Sequence, residues 1–66
     1  MSEPLLELAD AVSALEHRVS DVIFDTVRAQ LREDAAEEAH ELEKRLARVR
    51  RSLYKAEALL RGYDRD

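Results

Sequence analysis

Apolar residues recur along this chain at alternating intervals of three and four. In the first half, Leu5, Leu8, Val12, Leu15, Val19 and Val22 follow a 3-4-3-4-3 spacing. That is the a/d seam of a heptad repeat. Leu6, Ala9, Ala11 and Ile23 widen the stripe, which suits a bundle of several helices better than a two-stranded coil. The second half has its own seam: Ala39, Leu42, Leu46, Val49, Leu53, Ala56, Leu60 and Tyr63. It is offset by one residue from the first. Ile23, Val27, Leu31, Ala35 and Ala39 join the two in steps of four.

The punctuation agrees with helix nearly throughout. The only proline is Pro4 and the only glycine is Gly62. Pro4 fits a first helical turn, where its missing N–H is harmless, with Ser2 or Glu3 as the cap. Glu3 and Glu7 suit the positive end of the helix dipole, and Arg61 the negative end of the last helix. Gly62 fits the left-handed position that ends a helix.

Two accounts fit the offset between the seams. A hairpin gives each helix its own register, with the turn at the offset. One continuous helix with an average repeat near 3.67 residues also accommodates it. Asp34-Ala35-Ala36-Glu37 matches a capping-box pattern and marks the best internal turn. The match is loose, since Ser13-Ala14-Leu15-Glu16 fits the same pattern within the first seam. No Gly, Pro or Asn supports a turn at 32–37, and the alanines there favour helix.

Charge favours the hairpin. Residues 1–43 hold twelve acids and three bases, whereas residues 44–66 hold eight bases and three acids. A continuous helix would hold these segments apart within one chain, and a hairpin folds them together. The expectation is an all-α fold: a helical hairpin of two long antiparallel helices, with its turn near 32–37. Residues 1–66 form one small domain, with helix 1 over about 4–32, helix 2 over about 35–61 and a frayed tail at 63–66. Two hairpins then assemble into a four-helix bundle. The alternative is a single long helix in an antiparallel coiled coil.

Size makes assembly necessary. A chain of 66 residues arranged as one or two helices cannot bury enough apolar surface to offset the ordering of its backbone. Cysteine is absent and there are two histidines, so neither a disulfide nor a dedicated zinc site is expected to compensate. The sequence therefore predicts a homo-oligomer, with a dimer favoured. The expected interface residues are Leu8, Val12, Leu15, Val19, Val22, Leu42, Leu46, Val49, Leu53 and Leu60. A subunit that folds only with a different protein partner is a further possibility.

Candidate chemistry is sparse. Lys44, Arg48, Arg51 and Lys55 recur at steps of four, three and four, so they share one helical face, flanked by Arg45 and Arg50. Such a row can contact phosphates. It defines the alternative reading: a small nucleic-acid-binding regulator or antitoxin-like protein using the basic face of the second helix. The plainer reading is a solvated face, or one paired with Glu33, Glu37, Glu38 and Glu41. The net charge of −4 and the lack of any recognised nucleic-acid motif favour the plainer one.

Glu37 and His40 form an E-x-x-H pair, the spacing of di-iron four-helix proteins. His40 lies at the edge of the seam rather than on it, and a solvated or salt-bridged histidine is expected. Glu16-His17 is expected to be equally unremarkable. Phe24 beside Val22-Ile23 is expected to pack in an oligomer core, the alternative being an exposed docking patch for a different protein, and Tyr54 is expected to sit at a wet boundary. No thiol, no nucleophile elbow around Ser2, Ser13, Ser20 or Ser52 and no glycine-rich phosphate loop is present. The function expected is a non-enzymatic helical protein–protein interaction module, with no cofactor and no metal. The longest strictly aliphatic or aromatic run is Val22-Ile23-Phe24, far short of a membrane span. With no signal-peptide pattern at the N-terminus, a cytoplasmic location is expected.

Overall fold

The computed structural model describes residues 3–32 and 36–62. Two helices, α1 (Glu3–Ala29) and α2 (Ala36–Arg61), run antiparallel and pack along their lengths. The fold is an all-α helical hairpin, and the single continuous helix is excluded. Asp34 and the tail 63–66, expected as the turn cap and a frayed end, lie outside the described residues. So does Ser2.

α1 stops at Ala29, three residues short of the expected end at 32. The backbone shows how. Gln30 N–H donates to the carbonyls of both Thr26 and Val27, each at 3.1 Å. Leu31 N–H then bonds Arg28 O at 3.1 Å, and Arg32 N–H bonds Ala29 O at 3.0 Å. The last turn has tightened from i−4 to i−3 bonding, a common way to satisfy the final carbonyls of a helix. At the far end Gly62 adopts φ 84° and its N–H reaches Leu59 O at 3.2 Å. A Cβ would be strained there, so this glycine ends α2 as expected.

The molecule measures 50 × 22 × 10 Å across its Cα atoms. With its two helices side by side, the hairpin is a single layer with two broad faces open to water. Its own core is small. The buried apolar residues are Ala9 (0% exposed) and Ala39 (7%), and the buried polar ones are Glu16 and Thr26.

Candidate interaction surface

The heptad pattern explains what the hairpin buries and what it leaves out. Place Leu5, Val12 and Val19 at position a and Leu8, Leu15 and Val22 at d. In α2, Ala39, Leu46, Leu53 and Leu60 take a, with Leu42, Val49 and Ala56 at d. The helices meet along position e, beside this seam: Ala9, Glu16, Ile23 and Gln30 on α1, and Glu43, Arg50 and Glu57 on α2, with Thr26 and Ala39 of the a row buried alongside. Gln30 Nε2 donates to Glu43 Oε1. Arg50 Nη1 donates to Ser20 Oγ at 3.1 Å. Glu16 lies against Glu57. Small residues such as Ala9 and Ala39 let the backbones approach at the two ends of this contact.

The seam itself is left on the surface. Leu8 is 54% exposed, and Leu5, Leu15, Val22, Leu42 and Val49 are also exposed. Val12, Val19, Leu46, Leu53 and Leu60 are half-buried at the margin between the helices. At about 100° per residue, each seam is rotated in the same sense from the direction that faces the other helix. Because the helices run antiparallel, that shared sense puts both seams on the same broad face. Leu15, Val19 and Val22 of α1 accordingly line one shallow groove with Leu46 of α2. Phe24 and Tyr54 lie toward the opposite broad face. Phe24 is 71% exposed within the chain.

Charges follow a second logic. Among the described residues, one ion pair joins the two helices: Arg61 Nη2 to Asp10 Oδ1 at 2.9 Å. The others are local, such as Arg28 with Asp25 at 2.7 Å and Lys44 with Glu41 at 4.0 Å. The expected attraction between acidic and basic segments is thus concentrated at the α1 N-terminus and α2 C-terminus. Lys44, Arg48, Arg51 and Lys55 are all exposed and point away from α1. Arg48, Arg51 and Lys55 line a shallow depression with Ser52 on the outer side of α2.

The residue that the sequence reading undervalued is Glu16. It is only 6% exposed, and its Oε2 is buried without a hydrogen-bond partner. Burial raises the Glu16 carboxyl above its ordinary range, and the neighbouring Glu57 raises it further through a hydrogen bond and charge repulsion. Glu57 moves the other way. Arg61 Nε donates to its Oε2 at 2.7 Å, and this contact chiefly holds Glu57 ionised, helped by the hydrogen bond from Glu16. Glu16 thus holds a proton more readily than an exposed glutamate does, beside a Glu57 carboxylate that Arg61 keeps ionised. Spacing carries the signal for this pair. Glu16 and Glu57 occupy the same e register as Gln30 and Glu43, a polar line beside each apolar seam.

His17 Nδ1–H donates to Ser13 O at 2.9 Å, and His40 Nδ1 lies 3.8 Å from Glu43 Oε1. Among the described residues no cluster of His, Asp and Glu is arranged to hold a metal ion. No helix among them is long and apolar enough to cross a membrane. Comparison with known proteins finds no matching family model, no matching curated protein and no matching solved structure. The functional reading therefore rests on the surface alone.

Proposed function

We propose that this protein is a non-enzymatic helical interaction module that works as a homodimer, two hairpins meeting apolar face to apolar face as a four-helix bundle. The observation that carries this reading is the separation between the seams and the hairpin interior. Leu5, Leu8, Leu15, Val22, Leu42 and Val49 are exposed on one broad face, while the buried apolar residues among those described are two alanines. Covering that face supplies the second layer that a stable helical domain requires. The test is sedimentation equilibrium or light scattering across a hundredfold range of concentration. A dimer at micromolar concentration with a concentration-dependent melting temperature is expected. A stable monomer with an unchanged melting temperature would refute it.

A second reading draws on the exposed row Lys44, Arg48, Arg51 and Lys55, which lies away from the apolar face and stays accessible in such a dimer. In that reading the bundle presents basic rows to phosphates. Affinity for duplex DNA would then fall with salt at a log–log slope of about −0.9 per phosphate contact. Arg48→Ala/Arg51→Ala would flatten that slope with helix content intact. Absence of binding near physiological salt removes this reading and leaves the first untouched.

A further inference from the structure

Leu59 is 57% exposed, yet it belongs neither to the seam nor to the flank where the helices meet. It lies at heptad position g, on the outer edge of α2 bordering the apolar face. Ala11 has the same position on the outer edge of α1 and is also exposed. In a four-helix bundle each helix uses one flank for each neighbour. The e flank is already taken within the hairpin, so the g flank meets the partner.

Two pairings of hairpins are geometrically open. With the two-fold axis along the helices, α1 lies beside the partner's α2. With the axis across them, α1 lies beside the partner's α1, and α2 beside the partner's α2. The g residues distinguish these pairings. Setting α1 antiparallel to a partner's α2, at a level within one turn of the register inside each hairpin, brings Ala11 opposite Leu59 and Asp25 opposite Arg45. One apolar pair and one opposite-charge pair form on each side, and Arg18 faces the neutral Ser52. The crossed alternative sets Arg18 against Asp25, but it leaves Leu59 facing Glu38. Whole-helix charge favours the same choice. α1 carries six acids and two bases, and α2 carries five acids and seven bases. Placing α1 next to α1 sets like charge against like.

Resting on the homodimer reading above, we propose that the occupant of the apolar face is a second copy related by a two-fold axis parallel to the helices, so that each α1 lies along the partner's α2. The protein contains no cysteine, so introduced thiols report without background. The double variant Ala11→Cys/Leu59→Cys, oxidised with copper–phenanthroline, is expected to run mostly as a covalent dimer on a non-reducing gel. The crossed arrangement is reported instead by Glu38→Cys/Leu59→Cys. A protein that light scattering shows to be dimeric, but in which Ala11→Cys/Leu59→Cys stays unlinked, overturns the arrangement and leaves the homodimer standing. A monomer overturns both.

Charge exchange supplies a readout independent of thiols. Asp25→Arg is expected to raise the dimer dissociation constant several-fold, and adding Arg45→Asp to restore it. Restoration by Arg18→Asp instead would establish the crossed arrangement.

Discussion

The flank along which α1 and α2 meet and the face that both helices turn to water are built from different residues. The flank holds Ala9, Ala39, Glu16, Thr26, Ser20, Arg50 and the Gln30–Glu43 hydrogen bond. The face holds Leu5, Leu8, Leu15, Val22, Leu42 and Val49. In an ordinary small domain the allocation runs the other way, with aliphatics inside and polar groups out. Here the inner contact sets which residues lie opposite one another, through hydrogen bonds and one cross-helix ion pair. The outer face holds the apolar area. In the proposed dimer the hairpin is half of a folding unit, and its stability depends on what covers the face.

The largest expected effect comes from thinning that face. Leu46→Ala and Leu53→Ala, at the edge of the face, half-buried in the hairpin and fully covered in the proposed dimer, should each lower stability by about 2–5 kcal/mol, the range for fully buried leucines. Urea denaturation at several protein concentrations measures this. If the losses are well under about 1 kcal/mol and the midpoint ignores concentration, the leucines stay wet and the contrast between flank and face disappears.

The flank should respond to acid and base. Glu16 is raised in the folded state, so its contribution is fully present below the ordinary glutamate value and is lost as pH rises through the raised value. Glu57 is lowered, so its contribution is present above the ordinary value and is lost as pH falls through the lowered one. Stability should therefore peak in mild acid, near ordinary glutamate values, and decline on both sides. Glu16→Gln should flatten the alkaline limb, and Glu16→Leu should raise the melting temperature at neutral pH by removing a buried, half-satisfied carboxylate. A melting profile unchanged between pH 4 and 8 in the Glu16→Gln protein and the parent alike would show that the flank is not desolvated.

Smaller changes probe regions outside both surfaces. Gly62→Ala should destabilise by about 1 kcal/mol, because alanine is strained at φ 84°. Thermal melts of helix content would detect it, and no change would mean that α2 ends elsewhere in solution. Arg48→Glu/Arg51→Glu should shift stability by no more than about 0.5 kcal/mol at moderate salt, since both side chains point outward. A large loss at low salt would instead tie the basic row to assembly.

The hairpin was legible in the sequence from its two offset seams, and the end of α2 from Gly62. The end of α1 was not, because Gln30, Leu31 and Arg32 carry no glycine, proline or asparagine to mark the tightening of the last turn. The apolar face was legible as a set of residues, Leu8 through Leu60, but not as a face left open. A heptad stripe looks the same whether its own neighbour or another chain covers it. Glu16 was hidden for a related reason. Read next to His17 it looks like surface, and only its seven-residue spacing from Ile23 and Gln30 aligns it with the inner flank. Helix periodicity identifies which residues share a side. The partner on that side depends on the rotation of whole helices about their axes, and that is set by the sum of many weak contacts.

A slab about one helix thick keeps every amide within one side chain of water. In a globular domain the slowest hydrogen exchange comes from a few central residues that open only when the whole protein unfolds. Among the described residues one hairpin offers no such centre. In the proposed dimer, amides along both helices would exchange at rates tied to the lifetime of the covered face, so dilution should speed exchange along α1 and α2 together, and no segment should retain protection after the rest has lost it.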